Sequence, residues 1–521
     1  MLYKWFDFIL LKRFRKWFIP ADEQTAYQDG KGCADHIFLM RCLICFAKTT
    51  RKKLYICTID FDGAFDRVSR NILLQKLALR GAGSIFLFCI ASMYKRTESV
   101  IIQQDNHSTY ELLSGIKQGL PLSPYLFIFY IDDIFEFFYT LFNMISNTLL
   151  EKIHILIHAD DANILASSRD TLVQKIRRML QYCNLNKIKL QLSKCMFLVV
   201  NGTVEDKLKI SLADDEDMPS TTEVLILGTP LSDSGNLQLD LNLHLKLRFK
   251  NCIKFFNYIR ANRLAPTSIK LKVLMACVTS TLLHNCETFG PKLPKGIETL
   301  YFKLIKSAMN VRTNTPNYIV LIESGLLPIR ALVLKRQLKW FRKFKQSLHV
   351  NSARKIVIDE LSDSNVNNEY LQHYLSLDEK YRYPKKIYTE ALSEVRSAIR
   401  AKARDVDNHY RFYIYLMINR DLLPSPFLSC VTVGDAITRF RCGSHNLPIE
   451  TGRWRRTPRE ARLCSNCHVM GDESHVLFNC SAIPRTHLID EVNQTLNNIW
   501  KDKNIFELFK EISESEFLKF Y

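Results

Sequence analysis

The stretch IHILIHADDANILA, residues 153–166, constrains the fold of this chain more than any other. Ile153, Ile155 and Ile157 alternate with other residues, and Ile164, Leu165 and Ala166 resume the apolar run. The pattern predicts a β-hairpin with one buried face. Asp160 and Asp161 stand side by side at the predicted turn. Two adjacent carboxylates beside apolar strands repel each other and lose hydration. Taken alone, an ordinary solvated turn is the simpler explanation, because aspartate side chains accept bonds from nearby backbone N–H groups. The sharper alternative is a divalent cation, whose charge would offset the repulsion and whose hard character selects carboxylate oxygens. That reading requires another acidic group from elsewhere in the chain.

LYICTIDFDGAFDRV, residues 54–68, supplies one. Leu54 to Ile59 reads as a buried strand with Asp60 at its end, where a carboxylate can share a metal with the hairpin if the strands lie in one sheet. Capping of a following helix is the simpler role for Asp60 alone. Between the two acidic sites lies GIKQGLPLSPYLFIFYIDDIF, residues 115–135. Gly115, Gly119, Pro121, Ser123 and Pro124 predict a tight loop that leads into an apolar helix. Gln118 offers an amide that can both donate and accept.

The net charge of +19 is unevenly placed. Residues 241–350 carry 20 Lys and Arg against 3 Asp and Glu, a net +17. Sequences such as LHLKLRFKNCIKFFNYIR and ALVLKRQLKWFRKFKQ mix apolar residues at helical spacing with cations. So large a local excess repels itself unless a polyanion neutralises it, which favours a nucleic-acid partner. No apolar run approaches the ~18 residues that span a bilayer, so no membrane partner is expected. The opening MLYKWFDFILLKRFRKWF is read as a packed basic helix rather than a transit or membrane-surface segment. Most of the 15 cysteines are scattered singly, as expected of small buried hydrophobes in a reducing compartment.

The exception is LCSNCHVMGDESHVLFNC, where Cys464, Cys467, His475 and Cys480 form a C-x2-C-x7-H-x4-C pattern. This spacing suits a closed tetrahedral Zn²⁺ site, with His468 a competing ligand. Just before it, Arg453, Arg455 and Arg456 flank Trp454. Arginine forks bind phosphates, and a Trp face stacks on an unpaired base or on Arg, so these four are candidate nucleic-acid contacts.

The ordered set DFDGAFDRV, GIKQGLPLSPYLF, HADD, LQLSKCMFLV and VLILG closely resembles the successive motifs of reverse transcriptases, best of all those of non-LTR, LINE-type retrotransposons. The Cys/His segment is similar to the zinc knuckle of many such proteins. The resemblance implies an α/β (α+β) right-hand polymerase palm with partial fingers, followed by an α-helical basic thumb and a small zinc-binding module. The expected organisation is 1–50 partial fingers and helical lead-in, 51–228 palm, and 229–350 thumb. A helical, polar spacer follows at 351–430, then the Arg-rich segment and zinc knuckle at 431–485, and a helical tail at 486–521. The resemblance further implies RNA-directed DNA polymerisation onto a primer 3′-OH, with two Mg²⁺ ions on Asp60, Asp160 and Asp161 and a structural Zn²⁺ on the Cys/His set. Lys194 matches a lysine that protonates or steers pyrophosphate, and Phe65 an aromatic ring that crowds a nucleotide 2′-OH. Gln118 and Gly119 would line the template and incoming base pair, and Leu227 and Gly228 the hairpin that grips the primer. The implied partners are an RNA template, a DNA primer or target DNA, and deoxynucleoside triphosphates.

Three departures from the family pattern stand out. His158 occupies a position that is usually Tyr or Phe. In DEQTAYQDGKGCADHIF, residues 22–38, Gln28 stands where the family has an arginine near the triphosphate, with Lys31 available to compensate. The chain also starts close to this segment, which suggests an N-terminally truncated copy whose endonuclease activity comes from another protein. Two alternatives remain open: a catalytically dead, retroelement-derived nucleic-acid-binding protein, and, less favoured, a group II intron maturase-like protein. An intracellular location is expected, in the nucleus or the cytoplasm.

Overall fold

The computed structural model describes residues 2–482, apart from 96, 104–105, 143–148, 213–216, 350–351, 364–367, 404–421, 431–433 and 474. The helical tail expected at 486–521 lies outside the described residues, as does part of the 351–430 segment. Ten strands are described: β1 Leu54–Ile59, β2 Glu98–Gln103, β3 Asn106–Glu111, β4 Ile155–His158, β5 Asp161–Ala166, β6 Met196–Val200, β7 Ile210–Ser211, β8 Asp217–Met218, β9 Glu223–Ile226 and β10 Thr229–Ser232. The chain divides into two compact units, each discontinuous in sequence.

The first unit comprises Met1–His244, Asn285–Leu293 and Gln337–Lys380. At its centre is a four-stranded antiparallel sheet in the order β4-β5-β1-β6. Both faces are covered, which differs from the single buried face expected of the hairpin. Tyr55, Cys57, Ile59, Ile155, Ile157, Ile164 and Phe197 point into one core with Phe127, Phe138, Leu172 and Ile176. Leu54, Ile56, Leu156, Leu165 and Leu198 point into the other. The strands therefore read as near-continuous apolar runs, as buried strands must.

What covers the second face is the buried helix Cys33–Thr50 together with helices from 337–380, far along the chain. Phe341, Phe344, Val357, Leu361, Tyr370, Leu371 and Tyr374 all belong to this core. The beginning of the expected 351–430 spacer is thus core, not linker, and 337–349 groups with the sheet rather than with the expected thumb. Polar composition concealed this because the helices Ala353–Asp363 and Glu369–Lys380 each bury a single stripe.

A buried ion cluster ties these distant segments together. Arg354 is 0% exposed; it donates from Nη2 to Asp22 Oδ1 at 2.7 Å and from Nε to Asp22 Oδ2 at 3.1 Å. Its Nη1 lies 3.4 Å from Asp35 Oδ1. Lys31 Nζ completes the cluster, 2.8 Å from Asp22 Oδ1. Burial pushes the Asp35 carboxyl up to about 6, opposed by Arg354 and by the Trp340 Nε1 bond.

The opening helix Leu2–Trp17 buries Asp7, Leu10, Leu11 and Phe14 and leaves Trp5, Phe6, Phe8 and Ile9 exposed. Asp7 Oδ2 accepts the Leu122 N–H at 2.8 Å, satisfying a donor at the start of the helix Ser123–Ile131. Among the described residues no single helix is long and apolar enough to cross a membrane.

The second unit comprises Leu245–His284, Pro294–Arg336 and the chain from Tyr381 onward. It is helical, as the basic periodic sequence predicts, with Leu274, Val278, Leu282, Tyr301, Leu304, Ile305, Ile319 and Ile322 buried. The helix Gly434–Arg441 docks within it through a buried pair, Arg441 Nε to Glu323 Oε1 at 2.9 Å. The expected thumb over 245–284 and 294–336 therefore shares this unit with the Arg-rich segment, described from 434.

Candidate active site and Cys/His cluster

Strand register brings the acidic residues together. β1 runs antiparallel to β5 with Ile59 opposite Ala162, so the next residue out, Asp60, falls opposite Asp161. β4 and β5 pair with His158 opposite Asp161, leaving Ala159 and Asp160 as a two-residue turn. The Asp161 carboxyl is pushed up from its ordinary value, first by burial and then by the charges of Asp160 and Asp60. Lys194, on the short turn Leu192–Lys194, places Nζ 3.4 Å from Asp60 Oδ2. An all-oxygen, mutually repelling carboxylate set at strand ends suits a hard divalent cation.

The turn is held by a residue that motif reading overlooked. Ala159 adopts φ 58°, a left-handed conformation that costs a residue bearing a Cβ about 1–2 kcal/mol. Gln24, 0% exposed, clamps its peptide from both sides. Gln24 Oε1 accepts the Ala159 N–H at 2.9 Å and the Ala26 N–H at 3.0 Å, and Nε2 donates to Ala159 O at 3.5 Å. The flanking backbone adds Thr25 N–H to Ile157 O at 2.9 Å and Ile157 N–H to Glu23 O at 3.0 Å. Residues 23–25 thus line the open edge of β4. The sequence signal was a glutamine in an otherwise irregular segment, too weak to single out without the register.

His158 is accommodated by the same segment. Its Nδ1 lies 2.8 Å from Thr25 Oγ1 and its Nε2 3.3 Å from Cys33 Sγ. Burial lowers its pKa, against the pull of Asp160. Gln28 turns inward, donating to Ala21 O at 3.0 Å and to Gln24 O. Lys31 does not take up the role suggested for it: it is buried against Asp22, and desolvation lowers its pKa.

The Gly-rich loop meets the Asp60 strand end. Gly115 has φ 85°, and a Cβ there would sit 2.9 Å from Asp66 O, so only glycine fits. Ile116 N–H bonds Phe65 O at 3.0 Å, and Gln118 Nε2 donates to Asp66 Oδ1 at 3.1 Å. Gly119 also has positive φ, 82°. Phe65 stacks on Phe127 with centroids 5.0 Å apart and stays half-buried. Leu227 and Gly228, at φ 47° and 73°, form the two-residue turn of the β9-β10 hairpin. Asn285 Nδ2 supports that turn, donating to Leu227 O at 3.2 Å and Thr229 Oγ1 at 3.0 Å.

In the second unit, one ligand atom from each of Cys464, Cys467, His475 and Cys480 lies within 4.8 Å of the others. Cys480 Sγ is 3.8 Å from Cys464 Sγ and 3.9 Å from Cys467 Sγ. Thiolates on a tetrahedral zinc with bonds of about 2.3 Å stand roughly 3.8 Å apart. The buried His475 Nε2 has no hydrogen-bond partner, and the backbone N–H groups of Asn466 and Cys467 pull the Cys464 thiol down to about 6. The set is compatible with zinc. His468, the competing ligand by sequence, is outside the cluster.

The Arg-rich segment is largely committed inside the unit. The Arg312 guanidinium lies 3.0 Å from the centroid of the Trp454 ring, so that face stacks on arginine rather than waiting for a base. Arg453 Nη2 donates to the buried Glu450 at 2.7 Å. Arg455 and Arg456 remain exposed.

Residues 1–231 match the family model of reverse transcriptase (RNA-dependent DNA polymerase). The Pol polyprotein of the type-1 retrotransposable element R2 of Bradysia coprophila is 30% identical over 122 residues, 23% of this chain and 14% of that protein. The polyprotein of the Drosophila melanogaster type-2 element R2DM is 25% identical over 226 residues, 41% of this chain and 21% of that protein. The matches thus span about a fifth or less of these relatives. A solved apo telomerase from Candida tropicalis overlaps at a TM-score of 0.33 and 13% identity, over 71% of this chain and 60% of that one; nothing rests on so slight an overlap. Residues 1–231 are therefore similar to the reverse transcriptase domain, with relatives among the Pol polyproteins of R2 retrotransposable elements.

Proposed function

We propose that this chain is an RNA-directed DNA polymerase that extends a DNA primer 3′-OH along an RNA template. The observation that carries the reading is the register that sets Asp60 opposite Asp161 with Asp160 in the adjoining turn. These carboxylates are the residues to hold two Mg²⁺ ions, which when bound supply charge for nucleotidyl transfer. Lys194, already at Asp60 and 61% exposed, can reach a departing pyrophosphate and give it a proton. Phe65, backed by Phe127, presents a rigid ring against a 2′-OH. Gln118 and Gly119, fixed on the Asp66 loop, offer an amide and a bare backbone to the template and incoming base. The strained Leu227-Gly228 turn is the element to grip the primer.

The basic helices of the second unit are assigned to the thumb, where cations hold template–primer phosphates. The Cys/His cluster is assigned a structural Zn²⁺, since four protein ligands leave no open position. Exposed Arg455 and Arg456 stay candidate nucleic-acid contacts. A chromosomal primer would require nuclear access.

A second reading, a binding protein without polymerase activity, is favoured by one observation. Gln28 and Lys31 are both engaged internally, so neither offers a ready contact to a triphosphate. RNA-templated primer extension with deoxynucleotides and Mg²⁺, beside an Asp160→Ala/Asp161→Ala control, separates the two. Extension lost in the control supports the polymerase. No extension with template–primer binding retained supports the second reading.

A further inference from the structure

The second unit contains a cavity of about 700 Å³, between helices assigned to the thumb, to which that assignment gives no ligand of its own. Its wall comes from the end of the helix Leu237–Ala261, the start of Thr267–Val273, the helix Ile297–Ala308 with the turn after it, and Asp435. Five cations line it: Arg260, Arg263, Lys270, Lys303 and Lys306. Asp435 is the one carboxylate in the lining. It is spent on structure, accepting from Thr267 Oγ1 at 2.9 Å and from Asn310 Nδ2 at 3.2 Å.

Two of the cations are buried. Lys270 is 2% exposed and donates from Nζ to Arg263 O at 2.9 Å, and Lys306 is 7% exposed and donates to Thr313 O at 2.9 Å. Each ammonium has three donors and is given one carbonyl here. Among the described residues no carboxylate pairs with any of the five. Burying ammonium groups without a counter-charge is costly, and an anion in the cavity would offset that cost. Arg260, Arg263 and Lys303 are exposed at its rim, where arginine forks suit phosphate oxygens. Half-buried Phe256 and Ile259 give the same cavity an apolar side.

We propose that this cavity seats an unpaired nucleotide of single-stranded nucleic acid, with its backbone phosphates on Arg260, Arg263 and Lys303 and its base against Phe256. The volume falls within the range of small-ligand sites, ~300–1,000 Å³, and fits a nucleotide rather than a helix. A ring face with cations around it is the pairing that single strands use, because every base has a stacking face and a duplex shows none along its side. The site is separate from the carboxylate cluster and does not require that cluster to be catalytic.

The test uses the full chain and three fluorescent probes: a 12-nucleotide oligouridylate, a 12-nucleotide oligothymidylate, and a blunt RNA–DNA duplex. Binding is measured from 50 to 300 mM salt for wild type, Arg260→Ala/Arg263→Ala/Lys303→Ala, and Phe256→Ala. The triple variant should lose at least tenfold in single-strand affinity. Its salt slope should flatten by about 2, from roughly 0.7 per phosphate contact. Phe256→Ala should lose several-fold with an unchanged slope and leave duplex binding within twofold, and the triple variant should lose less affinity for duplex than for either single strand, because the other thumb cations still hold duplex phosphates. Equal loss on duplex and single strands would mean diffuse charge and overturn the proposal, as would unchanged single-strand binding. Preference for oligouridylate over oligothymidylate would identify RNA as the occupant, and the reverse DNA. Circular dichroism of each variant guards against misfolding, and an unfolded triple variant leaves Phe256→Ala to decide.

Discussion

Asp60 follows β1 and Asp161 opens β5, so the antiparallel register that pairs Ile59 with Ala162 sets the two carboxylates opposite each other one step further out. They lie 101 positions apart in sequence, and a one-residue slip of register would send one side chain to the opposite face. The site therefore depends on what pins β4 and β5 in place.

Gln24 is the first such pin. Replacing it with Ala strips partners from the Ala159 and Ala26 N–H groups inside the fold. The expected cost is about 2 kcal/mol. Primer extension should fall more than template–primer affinity, because the turn carrying Asp160 relaxes while the binding surface persists. Urea unfolding and a kcat against Kd comparison check both parts. Parallel loss of kcat and affinity would reduce Gln24 to a purely structural role.

Arg354 is the second. Arg354→Met leaves Asp22 and Asp35 buried with only Lys31 beside Asp22. Breaking one partner of a buried ion cluster costs about 3–5 kcal/mol. Thermal unfolding should show the sheet-bearing unit melting well below wild type. A shift of less than one or two degrees would mean that helix packing alone holds residues 353–380 on the sheet.

Acid should destabilise the first unit through two buried histidines. Burial lowers His36 to about 3 from 6.5, and His154 likewise to about 3. The unfolded chain takes up protons below 6.5 while the folded chain refuses them until about 3, so stability is full above 6.5 and lost as pH falls through that window. Each should cost about 2 kcal/mol at pH 5 relative to pH 7.5. Denaturant midpoints at the two pH values measure it, and His154→Phe should remove roughly half of the difference.

Much of this was legible in the sequence, and the failures have physical causes. The hairpin, the strand ending at Asp60, the glycine loop and the Cys/His spacing were readable because each depends on local pattern: apolar alternation, a φ that only glycine adopts easily, or ligand spacing. The second buried face of the sheet was not, because Val357, Leu361, Tyr370 and Tyr374 come from polar helices far along the chain. Nor was the fate of Trp454, since the arginine that covers it, Arg312, lies over a hundred residues earlier. Charge was legible as an excess but not as a cavity, because Lys270, Lys303 and Lys306 gather only when two helices meet.

The Cys/His cluster should hold one zinc per chain. Cys467→Ser removes one ligand and should lower bound zinc, measured by elemental mass spectrometry, several-fold. Protease cleavage should then concentrate within 459–482, while Mg²⁺-dependent primer extension persists at half of wild type or better. Full zinc content in Cys467→Ser would assign the ion elsewhere.

The divalent metal is assigned to Asp60, Asp160 and Asp161 together, and Mn²⁺ binding followed by electron paramagnetic resonance probes that assignment directly. Each sample contains the chain with an RNA template, a dideoxy-terminated primer and the next deoxynucleotide. Wild type should bind Mn²⁺ at stoichiometric concentrations, and Asp60→Asn and Asp161→Asn should each weaken that binding at least tenfold while keeping template–primer affinity. Equal Mn²⁺ binding in wild type and both variants would contradict the account.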